Sequence, residues 1–308
     1  MSSENLQTWE TGKPWLDIHC KLGEGPFFEK ATNTLRFVDI INKKLHTVSL
    51  TDGPGSLRTQ SFPEAVTVTA NIEGVDPREK ILVGVKQGIA VLDRKTGQYE
   101  YVTKFEEAGD AYGERIRSND GATDPHGRFW LGTMTDFPAG DPQAEGALFR
   151  FDLGKRVGDL KTNLTIPNSI GWSPDGRTMY FTHTTTQQVL AWDYDPKTGE
   201  HSNERVFYQH HGPGSPDGFR VDVDGNIWHA FYGGACVLKI SPEGKLMGKI
   251  NLPTKNVTCP EFVGTELWIT TAADDQGEEE ESRKYGGGLF KVDVGTRGLP
   301  HTDFKLAA

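Results

Sequence analysis

The 308-residue chain carries 43 acidic against 33 basic side chains, a formal net charge of −10, and no Lys/Arg cluster offsets it. Such a surface repels phosphate backbones, which argues against a nucleic-acid partner. The opening MSSENLQTWE lacks an apolar signal core, and no apolar run approaches the roughly 18 residues of a membrane span.

Three scattered cysteines, Cys20, Cys236 and Cys259, suggest neither a disulfide framework nor a Cys/His zinc spacing. The expectation is a cytoplasmic, monomeric protein with reduced thiols and no membrane partner. The glycosylation-like patterns at Asn163 and Asn256 read as chance. With 36 glycines, 17 prolines and Asp-Gly pairs at 52, 120, 175, 217 and 224, the chain is rich in turns and poor in helical periodicity. That composition predicts an all-β fold.

Six short apolar strands are predicted in chain order: LRFVDI from Leu35, ILVGV from Ile81, FWLGT from Phe129, MYFTH from Met179, IWHAF from Ile227 and LWITT from Leu267. Their starts lie 46, 48, 50, 48 and 40 residues apart. A strand-rich period in the forties is the signature of a β-propeller with four-stranded antiparallel blades, and six periods imply six blades. Nothing reads as a linker, so residues 1–308 form one propeller domain, with 1–13 and 301–308 expected as loosely ordered tails. WLDIHCKL at 15–22 is expected to pair onto the last blade and close the ring. The charged insertion at 274–287 reads as a solvated loop.

A polar residue recurs near the head of the innermost strand of each unit. Glu24, Asn71, Asn119, Asn168 and Asp217 follow one another at 47–49 residues, and the same phase in the last unit falls near Cys259. Innermost strands line the pore of a propeller, so these positions form a ring. Glu24, Asn168 and Asp217 supply two carboxylates and an amide oxygen, hard donors for Ca²⁺, Mg²⁺ or Mn²⁺, with Zn²⁺ also possible. A hydrated, metal-free pore is the structural alternative. His183, after the MYFT strand, is expected near the pore mouth, and Cys259 as a small buried thiol.

At these residues the chain resembles the regucalcin (senescence marker protein) and gluconolactonase family. The resemblance rests on LGEGPFF with Glu24, RSNDGATDPHGRFWLGTM from Arg117, IPNSIGWSPDGRTMYFTHT with Asn168, SPDGFRVDVDGNIWHAFYGG with Asp217, and NVTCPEFVGTELWITTA. It implies a six-bladed propeller with one divalent cation, Ca²⁺ foremost, held by Glu24, Asn168 and Asp217. By the same resemblance, Arg117, Asn119 and Asp136 bind a small sugar lactone. Asp120, beside Asn119, is a further candidate, as are Asn71 and His183. Ser169 stands where the family often has Gly, a departure expected to touch backbone packing alone.

The implied reaction is hydrolysis of a sugar lactone to its aldonic acid, with Asp217 as general base. Two other readings stay open: a phosphotriesterase or xenobiotic lactonase in the same pocket, and a non-catalytic calcium-binding scaffold. The absence of a GxSxG elbow and of HExxH spacing argues against serine or zincin chemistry.

Overall fold

The computed structural model describes residues 6–105 and 111–307. The chain opens with strand β1 (Gln7–Glu10) and then builds six sheets in sequence. Blade one is β2 (Gly23–Glu29), β3 (Thr34–Asp39), β4 (Lys44–Ser49) and β5 (Arg58–Ser61). Blade two is β6 (Val66–Ala70), β7 (Lys80–Val85), β8 (Gly88–Asp93) and β9 (Tyr99–Lys104). The short helix α1 (Ala111–Arg115) precedes blade three: β10 (Ile116–Thr123), β11 (Phe129–Thr135), β12 (Gly146–Asp152) and β13 (Lys155–Leu164). Blade four is β14 (Pro167–Trp172), β15 (Thr178–His183), β16 (Gln188–Tyr194) and β17 (His201–Gln209). Blade five is β18 (Ser215–Val221), β19 (Ile227–Tyr232), β20 (Cys236–Ile240) and β21 (Leu246–Asn251). Blade six is β22 (Val257–Val263), β23 (Glu266–Thr271) and, after helix α2 (Glu280–Tyr285), β24 (Phe290–Asp293). The architecture is the expected six-bladed, all-β propeller.

The six strands read from sequence are the second strands of the blades. They are apolar on both faces because each is packed between neighbouring blades; every residue of β11 is buried. Hydrophobic clusters fill the gaps between blades, as where Trp130 of blade three meets Trp172 and Tyr194 of blade four.

A repeated turn feeds these strands. In DPHGR, SPDGR and DVDGN the carbonyls of Asp124, Ser173 and Asp222 accept hydrogen bonds from Gly127, Gly176 and Gly225 at 2.8–3.0 Å. Those glycines have φ of +88°, +68° and +84°, a region that disfavours a Cβ. The Asp124 and Asp222 carboxylates then accept the indole N–H of the fully buried Trp130 and Trp228, at 3.3 and 2.9 Å. Turn chemistry and core anchoring therefore reside in one short motif.

Both chain ends differ from the loose tails expected. Strand β1 adds in parallel to β21, making blade five a five-stranded sheet. Residues 15–22 then reach the three-stranded blade six as expected, through isolated bridges Leu16–Leu289 and Leu22–Ala272 rather than one continuous strand. The segment before β2 thus links blades five, six and one. At the other end, residues 298–306 cross the far face of the pore and bridge blades five, two and three through Asp222–Gly298, Ile72–Phe304 and Leu153–Leu306. Phe304 is fully buried against Phe129. Residues 1–5 and 308 lie outside the described residues.

Candidate metal and substrate site

Every inner strand carries a register break near its start. The breaks fall between Glu24 and Phe27, Val66 and Val68, Ser118 and Gly121, Pro167 and Ile170, Pro216 and Phe219, and Val257 and Cys259. A bulge frees residues from the ladder and re-aims their side chains. Asn119–Asp120, Asn168–Ser169 and Asp217–Gly218 are such freed pairs, and Glu24 stands at the edge of its break. Local strand geometry repeated round an axis is what brings them together.

Blade two has Thr67 at this place, not Asn71. Asn71 follows the far end of β6, where its Oδ1 accepts a hydrogen bond from Arg36 Nη1 at 2.9 Å. Its assignment to the ring is therefore corrected: Asn71 belongs to a buried polar network between blades one and two, with Arg36, Glu29 and Thr69.

Glu24, Asn168 and Asp217 do converge. Asn168 Nδ2 donates to Asp217 Oδ1 at 2.5 Å and to Thr184 Oγ1 at 3.2 Å. Thr184 in turn donates to the carbonyl of Pro216. Glu24 Oε2 accepts the Gly25 N–H at 3.0 Å. Asp120 joins them, with its Oδ2 accepting from Ser169 Oγ at 2.9 Å. The same Ser169 hydroxyl accepts the Phe219 N–H at 2.7 Å. Ser169 thus does more than alter packing: it ties Asp120 to blade five.

Three carboxyls share this buried place. Glu24 is held well above the usual carboxylate range by burial first, then by the charges of Asp217 and Asp120. Asp217 is raised for the same reasons, burial and then Asp120, with Asn168 and Glu24 pulling the other way. Asp120 is raised by burial, against the nearby Arg220. Like charges in a dry site hold on to protons unless a cation joins them.

Arg117 and Asn119 lie beside this cluster. Arg117 Nη1 donates to Asn119 Oδ1 at 2.9 Å and to the Ser118 carbonyl at 2.7 Å, and Asn119 Nδ2 donates to the Pro167 carbonyl at 2.8 Å. The guanidinium stacks over Phe137 at 4.5 Å. Burial draws its pKa down to about 10, while Asp136 and Glu24 oppose that shift. Asp136 Oδ2 pairs with Lys86 at 2.9 Å, whereas its Oδ1 lies 3.9 Å from Arg117 Nε. That Nε–H is buried without an acceptor among the described residues.

His183 lies elsewhere than expected. Its Nε2 faces the Thr165 N–H and Thr185 Oγ1, in a groove shared with Lys161, Leu164 and Leu190. Side chains alternate along β15, so Thr182 points toward blade five and His183 does not. The histidine next to the site is His229, fully buried, with Nε2 3.1 Å from the Asp217 carbonyl and 3.2 Å from Thr182 Oγ1. Burial pulls its pKa down to about 3, so it is neutral, with its hydrogen on Nε2 to serve that carbonyl. It buttresses the Asp217 backbone. Cys259 is fully buried as expected and burial raises its thiol pKa. Gly218 must stay glycine, because a Cβ there would meet Cys259 Sγ at 2.4 Å.

Lys86, Thr184 and His229 escape sequence reading, since each sits outside the repeated phase or carries no motif of its own, and of Ser169 the sequence showed the departure but not its bonds to Asp120 and Phe219. Asp120 was detectable only through its place beside Asn119. A separate cavity of about 460 Å³ opens at the opposite end of the pore, lined by Phe27, Trp172, Leu299 and His301. None of the three acids lines it.

The donor set fits a hard divalent cation. It combines buried carboxylates, whose crowded negative charge such an ion neutralises, with the Asn168 amide. That amide's Nδ2 faces Asp217 and its Oδ1 accepts the Ser169 N–H, so the amide would turn its oxygen to the ion.

The family described as SMP-30/Gluconolactonase/LRE-like region matches residues 22–273. A Haloferax volcanii pentonolactonase is 33% identical over 296 residues, covering 92% of this chain and 95% of its own. Regucalcin of Xenopus laevis is 33% identical over 295 residues, with the same shares, 92% and 95%. Among solved structures, a calcium-binding regucalcin of Agrobacterium tumefaciens superposes with a TM-score of 0.87 at 27% identity, covering 97% of this chain and 99% of that one. The chain belongs to the SMP-30/gluconolactonase/LRE-like family.

Proposed function

We propose that the protein hydrolyses a sugar-derived lactone at the pore mouth, with one divalent cation, Ca²⁺ foremost, held by Glu24, Asn168 and Asp217. The observation that carries this reading is the meeting of three buried carboxyls, Glu24, Asp120 and Asp217, beside a buried arginine with an unused N–H. Relatives named pentonolactonase and regucalcin support the substrate class and the ion.

When bound, a divalent cation polarises an ester carbonyl and acidifies water. The chain's own residues do the rest. Asp217 takes the proton of the attacking water. Arg117 Nε and the Asn119 amide orient ring hydroxyls or the carbonyl, with Asn119, Phe137 and Asp136 holding the guanidinium in place. Lys86 offsets the charge of Asp136, the proposed sugar contact. The water oxygen joins the carbonyl carbon, the ring C–O bond breaks, and the ring oxygen leaves as a hydroxyl carrying the proton.

The test is acid release from a panel of aldonolactones, with and without chelator. Turnover that chelator abolishes and Ca²⁺ restores supports the reading. Turnover on phosphotriesters but on no sugar lactone assigns the pocket to a different ester. Tight cation binding without turnover on either class leaves a scaffold.

A further inference from the structure

A second set of metal-type side chains lies in blade one, apart from the pore acids. Cys20, Asp39 and His46 each offer a ligand atom, and these atoms all lie within 4.8 Å of one another. The three come from the segment before β2, the end of β3 and the middle of β4, so no sequence spacing announces them. All are buried, Cys20 and Asp39 at 2% and His46 at 3% exposure.

His46 supplies the second observation. Its Nδ1 is engaged with Thr59 Oγ1 at 2.9 Å, while its Nε2 is buried with no hydrogen-bond partner among the described residues. An imidazole held by one nitrogen, with the other bare, is the arrangement metal-ligating histidines show. Asp39 is likewise oriented, by the N–H groups of Lys21 and Leu22 at 3.0 and 3.2 Å and by the Asn42 amide at 2.8 Å. Burial and then the Asp39 carboxylate hold the Cys20 thiol well above its ordinary range without an ion, with Lys44 opposing them only in part.

We propose that Cys20, Asp39 and His46 form a binding site for a zinc-class transition-metal ion, separate from the pore. The donor types decide the class. Thiolate and imidazole select Zn²⁺ over the hard ions Ca²⁺ and Mg²⁺, which want oxygen alone. Bonds of about 2.0–2.3 Å in tetrahedral geometry put ligand atoms roughly 3.6 Å apart, so side-chain shifts of about 1 Å bring the three donors onto one ion and leave its fourth position for a non-protein ligand. Binding replaces the thiol hydrogen with the ion and releases one proton to solvent. Cys20 packs with Phe37, Trp268 and Leu289 where blade one meets blade six. The ion would therefore bolt the incoming N-terminal segment onto blade one at the point where the ring closes.

The experiment uses the full, reduced chain with its pore filled by excess Ca²⁺ and titrates it with Co²⁺ as the spectroscopic probe. A near-ultraviolet thiolate-to-cobalt charge-transfer band, displaced by Zn²⁺, is expected. It should vanish in Cys20→Ser and persist in Cys236→Ser, Cys259→Ser and Asp217→Asn. Persistence in Asp217→Asn keeps this result independent of the pore reading. His46→Gln, a second variant, should bind Co²⁺ more than about tenfold more weakly. No band in the wild-type chain, a band surviving Cys20→Ser, or undiminished affinity in His46→Gln overturns the proposal.

Discussion

Asn168 and Asp217 stand 49 residues apart in sequence and meet at 2.5 Å across adjacent blades. Each occupies the same bulge of its own inner strand, so one repeat period separates them and one hydrogen bond joins them.

Replacing Asp217 should separate activity from stability. Asp217→Asn removes the proposed base and a cation ligand, and lactone turnover should fall by about 10²–10³ or more. The same change relieves like-charge crowding with Glu24 and Asp120, so the cation-free melting temperature should hold or rise. Wild-type turnover in this variant would end the assignment.

Cation removal should lower stability in the wild-type chain. An ion that binds only the folded state contributes about 2.7 kcal/mol at a hundredfold excess over Kd. Thermal melts across a Ca²⁺ titration should show this rise, and Asp217→Asn should flatten it. A melting temperature indifferent to Ca²⁺, Mg²⁺ and Mn²⁺ would count against a pore ion.

Arg117→Lys keeps the charge but loses the planar fork that Asn119, Phe137 and Asp136 orient. A fall in kcat/KM of about 10–100-fold is expected, with cation affinity little changed. Steady-state kinetics beside a Ca²⁺ titration read both quantities. Equal loss of cation binding would recast Arg117 as part of the metal site.

Glu29 and Arg36 form a buried ion pair at 2.7 Å, with side chains 1% and 0% exposed. Burial pushes Glu29 up, but Arg36 and Arg94 more than reverse this, leaving its pKa below the ordinary value. Its contribution is therefore complete above the unfolded value of about 4.3 and is lost as pH falls through the lower folded value. Glu29→Gln strands Arg36 and should cost about 3–5 kcal/mol near pH 7, with a smaller difference in acid. Denaturant melts of both proteins across pH measure it. A cost independent of pH would mean packing, not charge, dominates.

Phe304→Ala should cost about 3–5 kcal/mol, since the ring is fully buried against Phe129. A chemical melt reads the loss, and turnover of the folded variant should survive because the pore acids lie at the other end. An unchanged melt would return residues 301–307 to the status of a tail.

Much of the fold was legible because turn and strand chemistry are local. DPHGRFW and DVDGNIW carry their own glycine turn, aspartate cap and anchoring tryptophan within seven residues. The ring of Glu24, Asn119, Asn168 and Asp217 was legible because a near-constant period converts sequence distance into a shared phase. Asn71 shows the limit. Helix α1 lengthens the link between blades two and three, so a constant count back from Asn119 stops short of Thr67, the residue at the true bulge.

The sequence alone determined the blade count, the turns and the oxygen-donor character of the pore, because each rests on residues close together or evenly spaced. Only the tertiary structure decided which neighbours complete the site. Asp120 bonded to Ser169, Lys86 against Asp136, His229 beneath Asp217 and the Cys20–Asp39–His46 cluster all arise where separate strands pack. The same holds for the buried ends of the chain, whose partners lie in distant blades. Contacts between side chains depend on strand register and on which face each residue presents, and a single altered bulge or inserted turn changes both.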